Sequence, residues 1–473
     1  MQNSKYIKTV FWNVGNLFDT TGNEISTDFE FTEERGYNGT VKKKKIEYLA
    51  KGIKLLKFNK PNVEDNDPDL IGFCEVENND VLKDLVDAIN PNKYEIASYN
   101  NSPDLRGIDT CLVYSKEMFD CLETKGYDID FRYPTRDIFY VHLKVKSNNA
   151  DLHVLVNHWP SRVGKILSCQ PNDTAQARNT VGERCGKIVD EILKFDRKVI
   201  DRFPTLTKIS KDQNYLEDLA KLYPDKELEV LHDNNNNNNQ SILKQLDDKW
   251  NSNLLVMGDF NDEPYDESVS RYLGAVSDIR QCRELIEIFE LRERGEKIFQ
   301  DTSYKRYYLE EKSSLFNCMW KLMGDPKSIH YDDSLDSQYS NIVDADVPGG
   351  SLYYWKNNTW SIFDQFIISR GLYHGKQKLQ MDIESIRISY KGLRLIDKGN
   401  LSQDKFDDTP YHTDRNKVHP ILKNIPFSFA YIKNKYDDEQ NKWIPNPNSL
   451  HSEEEPNKGF SDHFPIQCSI EIL

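Results

Sequence analysis

A layered α/β fold is predicted for this chain, on two observations. Short apolar, β-prone runs alternate with amphipathic helical patterns, and the runs repeatedly end on acids, amides or histidines. The 473 residues are 38% apolar and 29% charged, against about 45–50% and 25% in typical globular domains. A single domain, residues 1–473, diluted by polar excursions is therefore expected. Lysine and arginine total 62 against 77 acids, a formal charge of −15. That balance excludes a basic coat for unspecific attachment to nucleic acid or membranes. A phosphate-bearing ligand must then be held by a local device, such as a metal.

The first strand is expected at Tyr6 to Asn13. Val41 to Leu56 follows as a helix, with Ile46, Leu49, Ala50, Ile53 and Leu56 on one stripe. After the turn signal Asp67-Pro68-Asp69, a strand is read at Leu70 to Glu75 and an Asn-capped helix at Asn78 to Ile89. Thr110 to Tyr114, Ile138 to Val145 and Leu152 to His158 follow so closely that hairpins are expected. Thr174 to Phe195 keeps helical spacing through Val181, Cys185, Ile188, Val189, Ile192 and Leu193. The pattern degrades over 196–251, where the tract Asn234 to Asn239 cannot bury enough apolar area to offset its ordering entropy. This reads as a polar insertion, and excising Asp233 to Gln240 is expected to leave melting temperature and turnover nearly unchanged. A large fall in either would show that the tract packs or reaches the site. Strand character returns at Leu254 to Asp259, Ile362 to Ser369 and Phe464 to Ile472, with 372–457 read as a loop-rich elaboration.

No apolar run approaches the ~18 residues of a membrane span, so stable membrane insertion is not expected. The segment Met1 to Lys5 offers no apolar core for a signal peptide. The 8 cysteines show neither metal spacing nor a dense framework, and Cys74 and Cys111 fall inside apolar strands as buried thiols. An intracellular, cytoplasmic setting is expected, and the oligomeric state is left open.

Polar residues at the strand ends carry the chemistry. They are Asn13, Glu75, His158, Asp259 with Asn261, Asp364, and the pair Asp462-His463. Any one alone is more often a cap or turn; together they fit a site on the rim of a layered α/β sheet. The set is rich in oxygen, with only two imidazoles. Hard divalent cations, Mg²⁺ first and Mn²⁺ second, suit it, whereas zinc would want clustered His or Cys. Carboxylates, amides and histidines of this kind suit phosphoester hydrolysis, in which a metal polarises a phosphoryl oxygen and an aspartate activates water.

The strings FWNVGNLFD at Phe11 to Asp19, IGFCEVEN at Ile71 to Asn78, VNHWPSR at Val156 to Arg162, GDFNDEP at Gly258 to Pro264, FDQFIIS at Phe363 to Ser369 and GFSDHFP at Gly459 to Pro465 occur in one order. In that order they resemble the Mg²⁺-dependent endonuclease/exonuclease/phosphatase superfamily, the fold of the pancreatic deoxyribonucleases. SPDLRGID at Ser102 to Asp109 and GSLYY at Gly350 to Tyr354 look like one branch of it. The resemblance implies a four-layer αββα sandwich, two mixed sheets face to face with helices outside. It implies Glu75 as the principal metal ligand with Asn13 beside it, and Asp462 contributing to the metal or its water shell. Asp259 would activate the water and Asn261 hold the phosphate. His463, fixed by Asp364, would stabilise developing charge. His158 would face the leaving group, oriented by Asp109. The expected activity is phosphodiester hydrolysis of nuclease type, with DNA or RNA as substrate. A phosphatase or phospholipase C-type hydrolase of a small molecule or lipid headgroup is the alternative, and an inactive binding scaffold the second.

Arg106 and Arg162 adjoin these strings and are expected to grip substrate phosphate. For Arg136 and Arg178 a structural ion pair is at least as good a reading. Lys42 to Lys45 reads as a solvated helix face. Trp159 and the cluster Tyr353, Tyr354, Trp355 read equally as stacking platforms or core lids.

Overall fold

β1 (Tyr6–Leu17) is rich in apolar residues and buried without a break from Ile7 to Val14. That pattern belongs to a strand covered on both faces. The computed structural model describes residues 6–21, 31–58, 67–97, 102–104, 106–131, 134–162, 173–202, 242–285, 287–288, 303–324, 349–354, 359–390, 393, 426, 428–450, 456–457 and 459–473. Two mixed sheets pack face to face. The first has the order β14 (Leu379–Ile388), β17 (Ile466–Ile472), β1, β2 (Leu70–Val76), β4 (Asp109–Ser115), β3 (Tyr94–Ile96). The second runs β5 (Phe119–Tyr127), β6 (Ile138–Val145), β7 (Asp151–His158), β8 (Leu254–Asp259), β13 (Asp364–Ile368), β10 (Leu315–Asn317), β9 (Ala275–Val276). The hairpins β11 (Leu352–Tyr354) with β12 (Thr359–Ser361) and β15 (Asn434–Asp437) with β16 (Lys442–Pro445) stand apart.

Between the sheets, Val10 and Phe73 share one core with Val141, Val154, Met257 and Phe366. On the outside, α1 (Gly39–Lys54) and α2 (Asn79–Ile89) bury Leu49, Ile53, Leu82 and Leu85 in the same core. Their N-caps are Asn38 and Asn78, whose side chains accept from the N–H groups of Val41 and Val81. α3 (Asp173–Leu193) covers the second sheet through Val181, Cys185, Ile188 and Ile192. This is the expected αββα sandwich, helices outside two sheets. Among the described residues no helix is long and apolar enough to cross a membrane. Cys74 and Cys111 are buried free thiols.

The two longest strands outside the expected pattern are β5 and β14. β5 is buried mainly at Phe119 and Tyr127, with largely polar residues between, because it forms an edge and faces solvent. β14 falls inside the span read as loop-rich, 372–457, and closes the first sheet against β17. The Asn234 to Asn239 tract lies outside the described residues; the insertion's flanks form the helices Arg197–Arg202 and Ile242–Trp250.

Candidate active site

The register of the second sheet assembles half of the site. His158 on β7 pairs with Asp259 on β8, and Asp259 pairs with Asp364 on β13, so the three residues occupy one rung. Residues directly opposite one another point to the same face. Opposite this rung the first sheet supplies Asn13 from β1, Glu75 from β2 and His463 just before β17. Glu75 lies at a bulge with φ 63°, between Cys74 and Val76 in the ladder. Gly15, Asn16 and Asn261 are also left-handed, at φ 62°, 58° and 50°. Such conformations are costly for non-glycine residues and concentrate where a side chain must be aimed.

The side chains meet through short contacts. Asn13 Nδ2 donates to Asp259 Oδ2 (3.0 Å) and Glu75 Oε1 (3.3 Å). His463 Nδ1 and Asp364 Oδ2 lie 2.7 Å apart. Asp259 Oδ2 is 3.8 Å from the Nε2 atoms of both His158 and His463, and His158 Nε2 is 3.7 Å from Glu75 Oε1. The Asn261 N–H donates to Asp259 Oδ1 (2.9 Å), and its side chain donates to the Trp159 carbonyl (3.1 Å). Asp462 is exposed and accepts from Ser461 Oγ at 3.3 Å.

The two histidines are driven to opposite charge states. Burial alone would lower His463, but the carboxylates of Asp364 and Asp259 raise it well above its ordinary value. Burial, then Arg136, Arg106 and His463, lowers His158 well below its own. Near neutrality His463 is therefore an imidazolium and His158 a neutral ring. Burial, reinforced by Asp364, pushes the Asp259 carboxyl up to about 6, while His463, the Asn261 N–H and the Asn13 amide pull it back. Titratable groups set this far apart in one pocket divide acid and base roles. His158 Nδ1 and Asp364 Oδ1 are buried with no hydrogen-bond partner among the described residues.

Residues 8–200 match the family model described as Endonuclease/Exonuclease/phosphatase family. Over that N-terminal part the chain is similar to the endonuclease/exonuclease/phosphatase family. No curated protein matches the sequence. A protein of the endonuclease/exonuclease/phosphatase family from Bacteroides thetaiotaomicron is similar at 12% identity and TM-score 0.39, covering 99% of this chain and 98% of its own. Truncated Caenorhabditis elegans TDP2 (11%, TM-score 0.38) covers 98% of both chains. The human Nocturnin catalytic domain (12%, TM-score 0.38) covers 99% of this chain and 95% of its own. Similarity at this level carries no argument about substrate.

Three expectations meet a different geometry. Asp109 Oδ1 accepts the Ser102 N–H at 2.9 Å, ordering the turn before β4, and makes no hydrogen bond to His158 Nδ1, which has no partner among the described residues. Asn13 turns its amide N–H₂ toward the carboxylates, and its Oδ1 accepts the Gly15 N–H (3.0 Å), so it orients Glu75 and Asp259. Lys45, read as part of a solvated face, is only 4% exposed and donates to the carbonyls of Gly15 and Asn16. The signal was present in its spacing, four residues after Val41 and four before Leu49, on the buried stripe.

The arginines divide as burial dictates. Arg136 is buried and holds the carbonyls of His158 (2.9 Å) and Trp159 (2.7 Å) while paired with Asp104 (2.8 Å). Arg178 pairs with Asp262 and donates to the Pro160 carbonyl. Both brace the turn after β7. Arg162, its side chain 40% exposed, pairs with Asp262 and Asp266 and lies over the Phe363 ring. Arg106, at 44%, is anchored through Asp104 and close enough to His158 to depress its pKa. Trp159 and Tyr353 are buried, which makes them core lids. Trp355 lies outside the described residues.

The donor chemistry fits a hard divalent cation, because Glu75, Asp259 and Asp462 present oxygen and the pocket concentrates negative charge. Asp259, Asp364 and His463 also bring ligand atoms within 4.8 Å of one another. There, however, the His463–Asp364 hydrogen bond already uses the nearest pair of atoms.

Proposed function

We propose that this chain is a Mg²⁺-dependent phosphodiester hydrolase of nuclease type, with Mn²⁺ as a competent substitute. One observation carries the reading: an imidazolium clasped by Asp364 and a neutral imidazole both face Asp259, across a gap bounded by Glu75. Glu75 would hold the cation, with Asp259 and Asp462 contributing. The bound cation would polarise a phosphoryl oxygen.

The remaining roles belong to the chain. Asp259, its raised carboxyl still ionised near neutrality, orients and accepts a proton from the attacking water. His463, charged and held in orientation by Asp364, would donate from Nε2 to a non-bridging phosphoryl oxygen as negative charge grows there. His158 faces the leaving oxygen with Nε2, and Arg136 fixes its backbone from below. Asn261, its N–H bonded to Asp259, keeps that carboxylate aligned beside the phosphate.

A panel of plasmid DNA, RNA, bis-p-nitrophenyl phosphate, inositol phosphates and sphingomyelin, each with Mg²⁺ and Mn²⁺, tests the proposal. Cleavage of none of the diesters would refute it; turnover of inositol phosphates alone would favour the phosphatase alternative. Arg106 separates polymer from monomer substrates, because a polymer offers further phosphates beyond the scissile one. Arg106→Ala is expected to raise KM on DNA or RNA far more than on bis-p-nitrophenyl phosphate and to flatten the salt dependence. Equal losses on both substrates would move Arg106 into the reaction centre.

A further inference from the structure

Lys45 stands out among the groups that the proposed chemistry does not use. It projects from α1, a helix on the outer face of the first sheet, yet its side chain runs inward and is buried. Its ammonium forms no ion pair with a carboxylate among the described residues and is spent on two backbone carbonyls, those of Gly15 and Asn16. A buried cation bonded to neutral acceptors is costly, and an apolar side chain on the same stripe would pack at less expense.

The two carbonyls belong to consecutive left-handed residues, and each residue's own N–H reaches a different part of the site. Gly15 N–H donates to Asn13 Oδ1 (3.0 Å), which fixes the amide so that Nδ2 faces Glu75 Oε1 and Asp259 Oδ2. Asn16 N–H donates to Glu75 Oε2 (2.8 Å). One ammonium thus clamps the turn from which both oxygens of Glu75 and one of Asp259 are oriented. Space around the turn is limited: a Cβ on Gly15 would lie 3.2 Å from Asp462 Oδ1 and Ser461 Oγ.

We infer that Lys45 is a positioning residue that sets the orientation of Glu75, and through Asn13 of Asp259, for binding of a divalent cation. The inference rests on the metal-dependent reading of the site. Simple charge counting makes the contrary prediction, because deleting a positive charge near Glu75 would tighten cation binding.

The deciding experiment titrates Mn²⁺ into the full chain, reading free Mn²⁺ by electron paramagnetic resonance, alongside melting of the metal-free protein. Lys45→Met is expected to weaken Mn²⁺ binding by roughly 10- to 100-fold, the range seen when a partner that orients a ligand is lost. Lys45→Arg is expected to recover most of it. On bis-p-nitrophenyl phosphate at saturating metal, kcat is expected to fall more than KM. If Lys45→Met does not fold, Lys45→Gln carries the test, since its amide nitrogen is uncharged and one bond nearer the backbone than the ammonium, too short a reach to clamp both carbonyls. Tighter or unchanged Mn²⁺ binding in a folded variant, whatever its melting temperature, overturns the inference. Absence of Mn²⁺ binding by the wild-type chain instead overturns the metal-dependent reading, and this inference with it.

Discussion

EDTA is expected to abolish hydrolysis completely, and excess Mg²⁺ or Mn²⁺ to restore it. The pocket gathers Glu75, Asp259 and Asp364, with Asp462 beside them, where the proposed substrate phosphate would sit. Two like unit charges 4 Å apart repel by about 4 kcal/mol at an effective dielectric of 20. Against that repulsion the chain offers the His463 imidazolium, already engaged by Asp364, and the buried Lys45 and Arg136, whose donors are spent on backbone carbonyls, while Arg106 and Arg162 are exposed at the rim and tied to acids. A negatively charged substrate is therefore poorly tolerated until a divalent cation neutralises the carboxylates. Melting curves with and without chelator separate loss of chemistry from loss of fold. Undiminished turnover in EDTA would rule out the proposed mechanism.

The residues that could be read from the sequence share one property: each lies where a strong local pattern ends. Glu75, His158 and Asp259 follow apolar runs that permit only a buried strand, and the observed strands end at or within one residue of them. Asp364 and His463 precede such runs, so strand direction alone brings them to the same rim. Relations between side chains are less legible. The resemblance implied Asp109 as the partner of His158, from its place at a strand start, but which hydrogen bond a carboxylate makes depends on the turn beside it, and the Ser102 N–H bonds Asp109 Oδ1. The direction of the Asn13 amide likewise depends on the left-handed turn at Gly15 and Asn16, which composition cannot reveal. Lys45 was hidden by its neighbours: within a run of lysines, only position relative to Val41 and Leu49 separates the buried one from the solvated ones. β14 was missed because its alternation is broken midway by Asp382 to Glu384, where the ladder to β17 shifts register.

His463→Ala is expected to lower kcat by about 10² to 10⁴, the usual range for a positioned acid–base group. The ring is fully built into its place: Nδ1 is held by Asp364, the backbone carbonyl accepts from Trp12 Nε1 (2.9 Å), and the N–H donates to Ser461 Oγ (3.1 Å). Truncation removes the imidazole while those backbone bonds persist, so Mn²⁺ affinity is expected to change far less than turnover. The protonated ring is the form that donates, which fixes the sign of the pH dependence. Asp364 stabilises the imidazolium, so Asp364→Asn is expected to lower the pKa of His463 and move the alkaline limb of the kcat/KM profile to lower pH. A shift to higher pH, or none in a folded variant, would show that the limb reports another group. His158→Ala is expected to cost a similar factor. The double variant should lose much less than the product of the two, because both rings serve one transition state. Strict multiplicativity would mean that the histidines act in separate steps, and a double variant with wild-type turnover would remove both from the reaction.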